Sequence, residues 1–334
     1  MEELQFSFIV PVFNRPVEVE KLLESLSKLE YQRSFEVVVV EDGSTDTCEA
    51  VCSRFRESVN ITYFLKKNTG PGDSRNYGMQ HAQGNYFIIL DSDCIVPPHY
   101  LDAVEESLNK NFVDCYGGPD AADESFSTLQ KAINYSMTSM LTTGGIRGGS
   151  EKLGKFQPRS FNMGLSKKAF EATGGFRTIH PGEDPDLSIR LWKMGFETAL
   201  FPEAFVYHER RISWKLFYKQ VKKFGMVRVI LNKWHPSTAK LTYWLPTLFL
   251  LLMTLAVIHL FFGNWYLMVP FAAYLGLIVV HAAFHNGIKI GLLSAFAVLV
   301  QFIGYGWGFL NSYIQIHIRN RNEHEVFPYL FFEK

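Results

Sequence analysis

Two groups of carboxylates give this 334-residue chain its most evident chemical potential. Asp91 and Asp93 flank Ser92 directly after the apolar run 86–90. Like charges that close repel unless a cation joins them. Hard divalent ions such as Mg²⁺ or Mn²⁺ accept one or two carboxylates while substrate phosphates complete their coordination, so Asp91-Ser92-Asp93 is a candidate metal and phosphate site. The second group, Glu183, Asp184 and Asp186, surrounds Pro185 at the start of a stretch where Leu187, Leu191 and Met194 repeat on one helical face. Proline suits a first helical turn, so Asp184 reads as a helix N-cap. A helix N-terminus favours the ionised carboxylate, and an ionised carboxylate can take a hydroxyl proton. Glu183 and Asp186 are its rivals for that role.

Such side chains need elements to hold them. The apolar runs 6–12, 35–40, 61–65 and 86–90 alternate with amphipathic stretches. One stretch opens at Pro16 with Val19, Leu22, Leu23 and Leu26 on one face, a second opens at Asp46 with Glu49 three later, and a third covers 73–82. Continuous apolar runs are what parallel sheets bury on both faces. Strand and helix alternating at this spacing predict an α/β fold with right-handed crossovers, and ligands in such folds bind beyond the carboxyl ends of the strands. Polar residues follow the runs there: Pro11, Phe13, Asn14 and Arg15; Glu41, Asp42, Gly43 and Ser44; Asp91, Ser92 and Asp93. One crevice lined with carboxylates is expected.

The strings SFIVPVFNR, VVVVEDGSTD, GPGDSRNYGMQHAQGNYFIILDSD, NMGLSKKAFEATGGF and GEDPDLSIRLWKMGF occur in that order over about residues 6–208. In this the chain resembles the family 2 glycosyltransferases, whose catalytic domain has the Rossmann-like GT-A fold. The resemblance implies transfer of a sugar, with inversion at the anomeric carbon, from a UDP-, GDP- or dTDP-type nucleotide-sugar donor. It implies that Pro11, Phe13, Asn14 and Asp42 hold the nucleobase and ribose, with Arg75, Asp91 and Ser92 also at the nucleotide. By the same resemblance Asp93, Asp91 and His208 would hold the Mg²⁺ or Mn²⁺, Asp184 of the Glu183-Asp184 pair would be the base, and Asn162 and Gly175 would lie under the donor sugar. A metal there neutralises charge growing on the departing diphosphate.

Charge is segregated along the chain. The 33 basic and 33 acidic residues cancel, but residues 1–209 hold 20 and 30, and residues 210–240 hold nine and none. Between 241 and 318 the single charged residue is Lys289. Roughly 20 apolar residues cross a bilayer core, so 243–262, 265–284 and 292–318 predict two or three passes. Trp244, Trp265, Tyr266, Trp307 and Tyr313 lie near the segment ends, where interfacial aromatics gather. Gly304, Gly306 and Gly308 read as a break in the last segment, the alternative being that one of the segments is re-entrant. The basic stretch carries Ile212, Leu216, Val221, Phe224, Val227 and Leu231 at near-helical spacing. It predicts an amphipathic helix at the lipid interface, drawn to anionic membrane lipids, and argues against a nucleic-acid partner.

The expected organisation is a GT-A domain over 1–209, the interfacial segment 210–240, transmembrane helices over 241–318 and a short tail 319–334. Basic flanks put the catalytic region on the cytoplasmic face, at the inner membrane if the source is bacterial. No export signal precedes Cys48, Cys52, Cys94 and Cys115, which are expected as thiols. Processive relatives such as cellulose and hyaluronan synthases carry a QxxRW motif, and the corresponding string Gln220-Val221-Lys222-Lys223-Phe224 lacks its Arg-Trp pair. The expectation is therefore a single sugar transfer to a lipid-linked saccharide or glycolipid. The alternatives are a polyprenyl-phosphate sugar synthase, which needs no base, and a catalytically silent membrane protein of the same fold.

Overall fold

A computed structural model describes residues 3–121, 126–143, 155–208 and 213–332. The chain forms two compact units, the first comprising Met1–Asp123, Gly154–Arg210 and Phe331–Lys334, the second Glu124–Leu153 and Arg211–Leu330. Among the described residues, 126–143 thus group with the second unit, and 331–332 with the first.

The strands of the first unit are Phe6–Val12 (β1), Glu36–Asp42 (β2), Asn60–Lys66 (β3), Tyr86–Leu90 (β4), Cys94–Ile95 (β5), Cys115–Gly117 (β6), Asp120–Ala121 (β7), Asn162–Ser166 (β8), Thr198–Leu200 (β9) and Val206–His208 (β10). The larger sheet has the order β3-β2-β1-β4-β8-β6-β9. β1 is parallel to β2 and β4, while β8 runs antiparallel to β4 and β6. The expected mostly parallel α/β domain is present, and the pleat explains its unbroken apolar runs. Phe8, Val10, Val37, Val39, Ile88 and Leu90 enter one core, whereas Ile9, Val38, Val40, Phe87 and Ile89 enter the other. Successive side chains point to opposite faces, so a strand buried on both must be apolar at every position.

Helix Pro16–Leu26 covers the first face with Val19, Leu22, Leu23 and Leu26. Met79 of helix Pro71–His81 and Leu187 and Leu191 of helix Glu183–Lys193 cover the second. The helix expected from Asp46 begins instead at Glu49, with Cys48 as its N-cap, while the Asp46 N–H donates to Asn14 Oδ1 at 3.0 Å. A small sheet of order β5-β10-β7 sets the backbone of His208 opposite Cys94, the residue after Asp93.

In the second unit Leu241–Leu260, Trp265–Asn286 and Ile288–Ile318 are long and apolar enough to cross a membrane. The third begins before the expected 292 and takes Lys289 into its helix. The glycines do not break it: Ile288–Tyr313 is one continuous helix. They permit close backbone approach instead, since a Cβ at Gly308 would lie 2.1 Å from Lys222 O and one at Gly306 2.5 Å from Pro246 O. Small residues serve this purpose between membrane helices. Helix Trp214–Trp234 starts where Ser213 Oγ accepts the Leu216 N–H, as N-cap residues do. Of the apolar side expected to face lipid, Val221 and Phe224 pack with Phe217 on Ile133 and Ala297, Val227 and Leu231 are buried and Leu216 is exposed; Ile212 lies outside the described residues, and Lys215, Lys219 and Lys233 stay exposed.

Candidate active site

The polar residues after β1 and β2 hold each other. Asn14 adopts a left-handed conformation, φ 54°, which asparagine tolerates better than most residues. Its Oδ1 accepts the Thr45 and Asp46 N–H groups at 2.9 and 3.0 Å, and its own N–H donates to Ser44 Oγ at 2.7 Å. Pro11 pairs with Val40, and Phe13 is exposed. Asp42 is buried; its Oδ1 accepts from Lys66 Nζ at 2.6 Å and Thr69 N–H at 2.9 Å, and its Oδ2 from Gly70 N–H at 2.9 Å. This anchors the N-terminus of helix Pro71–His81, the helix that carries Arg75.

Arg75 joins three elements. Its buried guanidinium donates to Asp91 Oδ1 at 2.9 Å and Glu183 Oε1 at 3.3 Å, and lies 5.4 Å from the Phe176 ring centre. His180 Nδ1 is 2.8 Å from the same Glu183 oxygen. Burial alone would raise the Glu183 carboxyl, but His180 and Arg75 outweigh it and hold the group far below its ordinary range. Beside them Arg15 Nη1 donates to Asp93 Oδ2 at 2.9 Å, and Ser92 is buried.

The three acids after Gly182 have different fates. The helix begins at Glu183, and its N-cap is Gly182, at φ 121° and without a side-chain cap. Asp184 is therefore the second helical residue and not the N-cap, because glycine supplies a backbone turn that a Cβ would strain. Asp186 is fully buried, with Oδ2 2.8 Å from Arg190 Nε and Oδ1 3.5 Å from Arg177 Nη1. Asp184 keeps a buried Oδ1 with no hydrogen-bond partner. Burial and the neighbouring Glu183 charge push its carboxyl up to about 6, against the opposing pull of Arg75, Arg159 and a hydrogen bond from Ser160. Of the three acids, Asp184 is the one with a buried oxygen that no hydrogen bond reaches.

Two residues expected beneath a sugar are engaged within the protein. Asn162 is fully buried, accepting from Tyr100 Oη at 2.5 Å and donating to Ala204 O at 2.8 Å. Gly175 has φ 73°, its carbonyl accepts from Arg190 Nη2 at 2.5 Å, and a Cβ on it would lie 2.2 Å from Asn76 Oδ1. It shapes the turn that brings Phe176 under Arg75. Arg15 and His180 are not among the site residues expected from the sequence. For His180 the signal was its spacing of three from Glu183.

Asp91 and Asp93 supply hard oxygen donors, each with one oxygen on an arginine. Among the described residues no group of three His, Cys, Asp or Glu side chains could hold an ion. The side chain of His208 lies outside the described residues. This donor set fits a divalent ion that takes most of its ligands from phosphate and water.

A family profile described as "Glycosyl transferase family 2" matches residues 7–174, about half of the chain. Succinoglycan biosynthesis protein ExoA of Rhizobium meliloti is 26% identical over 327 residues, 93% of this chain and 96% of that protein. Poly(ribitol-phosphate) beta-N-acetylglucosaminyltransferase TarS of Staphylococcus aureus is 38% identical over 114 residues, 33% of this chain and 20% of that protein. With several such relatives the match spans a fifth or less of their length. The fold is similar to that of mannosyltransferase PcManGT from Pyrobaculum calidifontis in complex with GDP-Man and Mn²⁺, at a TM-score of 0.59 and 16% identity, over 92% of this chain and 88% of that one.

Proposed function

The chain belongs to glycosyl transferase family 2, and on that premise we propose that it moves one sugar from a nucleotide-sugar donor to a hydroxyl of a membrane-associated acceptor, with inversion and with Asp184 as base. The observation that carries this reading is the unpartnered, buried Oδ1 of Asp184 beside the Arg75–Glu183–Asp91 array. Asp184 takes the acceptor proton as the acceptor oxygen bonds to the anomeric carbon. The bond from that carbon to the diphosphate oxygen breaks, and its electrons leave with the nucleoside diphosphate. Glu183 stays ionised and holds Arg75, and Arg75 fixes Asp91 at the nucleotide side. Arg15 orients Asp93. Asp93 and Asp91 would hold a Mg²⁺ or Mn²⁺ ion, which when bound offsets charge on the leaving diphosphate.

The membrane part of the reading is that the chain enters and leaves the bilayer on one face, the cytoplasmic one. Supporting it, the Trp244 ring at the start of the first apolar helix lies 4.8 Å from Phe309 and 4.7 Å from Tyr313 at the end of the third. Thr247 Oγ1 donates to Gly306 O at 3.1 Å, and Phe249 meets Phe302 at 5.0 Å. Those helices are antiparallel neighbours. Three full crossings would separate these two ends by the whole membrane; on the proposed reading one apolar helix turns back without completing a crossing. The basic run 210–240 precedes the first of them, as cytoplasmic flanks do.

A screen of UDP-, GDP- and dTDP-sugars with Mn²⁺ on the purified chain tests the function. GDP-Man, the ligand of PcManGT, is a natural first donor. Metal-dependent binding or hydrolysis of one donor is the expected result; no binding of any would end the proposal.

A further inference from the structure

The segment after the helical unit has an apolar ending, Phe331 and Phe332, that no part of the proposed reaction uses. Residues 319–325 before it include Arg319, Arg321, Glu323 and Glu325. Glu323 is tied to Lys233 Nζ at 2.7 Å and Trp234 Nε1 at 2.9 Å within the second unit. Eight residues later the chain is part of the first unit. Phe331 is buried and pairs antiparallel with Ile179, and the Phe332 N–H donates to Thr178 O at 3.0 Å.

The Phe332 ring touches the site framework at two points. At Gly70 a Cβ would lie 2.3 Å from Phe332 Cγ, so the ring covers the glycine whose N–H donates to Asp42. The ring centre is also 6.1 Å from that of His180, the residue bonded to Glu183. Gly70 caps the helix that carries Arg75, and Glu183 is one of the two carboxylates that Arg75 binds. One aromatic ring therefore touches both the residue that caps the Arg75 helix and the residue bonded to Glu183.

We propose that Phe331 and Phe332 are positioning residues of the donor site, a strap that packs within the first unit against Gly70, Ile179 and His180. Phe331 fixes the strap by a single antiparallel bridge to Ile179. Phe332 presses on Gly70 and His180 and so sets Arg75 against Asp91 and Glu183. Neither residue touches the reacting atoms. The inference rests on the donor site proposed above.

The test is steady-state kinetics of the full-length chain in detergent or lipid, comparing Phe332→Ala, Phe332→Tyr and Tyr329→Ala. Tyr329 is exposed and belongs to the second unit, so its variant controls for general disturbance of the tail. Displaced site groups cost roughly ten- to hundredfold. The expected result is a loss of that order in kcat/KM for Phe332→Ala, carried mainly by a higher donor KM, with the acceptor KM unchanged. Phe332→Tyr recovers most of the loss, and Tyr329→Ala behaves as wild type. An unchanged donor KM in Phe332→Ala would overturn the inference, whether activity is retained or falls together with the unfolding temperature. Failure of the wild-type chain itself to bind a nucleotide sugar is a distinct outcome, which removes the donor-site reading and the strap with it.

Discussion

Asp184 and Asp186 lie two residues apart in the same first helical turn, yet the fold treats them oppositely. Both oxygens of Asp186 face guanidinium groups, from Arg190 at 2.8 Å and Arg177 at 3.5 Å. Asp184 Oδ1 faces no donor and is buried. A buried acceptor without a partner costs about 1–3 kcal/mol. A catalytic base can retain such an oxygen because the substrate hydroxyl will meet it during the reaction.

Replacing Asp184 by Asn should abolish that base while keeping shape. General-base contributions run to about 10²–10⁴-fold, so kcat should fall by that order with donor binding retained. Near-normal turnover in D184N would instead favour an ionised phosphate acceptor, which needs no base.

The pH profile reports on the same group. A base must be deprotonated, and the Asp184 carboxyl is raised to about 6 by burial and by Glu183. Activity should therefore rise with pH through about 6 and level off above it. An acid limb at the ordinary aspartate range near 4 would show that another group titrates.

Arg190→Met probes the other acid. It removes the main partner of the fully buried Asp186 and the donor to the Gly175 carbonyl. Breaking a buried pair from one side costs about 3–5 kcal/mol. A fall in unfolding free energy of that order, measured by denaturant titration of the purified chain, is expected, and a stability within error of wild type would contradict the assignment.

Metal removal has a defined signature. With Asp91 and Asp93 the candidate ligands, chelation should weaken donor binding and added Mn²⁺ should restore it. In Asp93→Asn the donor should respond little to Mn²⁺ in calorimetry; full Mn²⁺-dependent binding by that variant would move the metal elsewhere.

The same-face topology can be read directly. A reporter fused after residue 334 should report the same side of the membrane as one fused before residue 1. Opposite sides would mean an odd number of crossings, against the antiparallel pairing of Trp244 with Phe309 and Tyr313.

Several features are properties of short stretches, and the chain alone determined them. The unbroken runs of β1, β2 and β4 announce strands buried on both faces, because pleating exposes each side chain to one core or the other. The near absence of charge over 241–318 announces apolar helices, because bilayer thickness sets a length of chain. Asp42, Asp91 and Asp93 follow strands for the same local reason. What remained for tertiary structure was how each polar group is used. Asn162 is turned inward by Tyr100 and Ala204, Asp42 is held by Thr69 and Gly70, and Gly304, Gly306 and Gly308 became packing surfaces rather than breaks. Asp184 was distinguished from Glu183 and Asp186, and Phe332 was brought to Gly70. Hydrogen bonds and close contacts of this kind depend on partners up to about 260 positions away in the chain, and only folding brings those partners within reach.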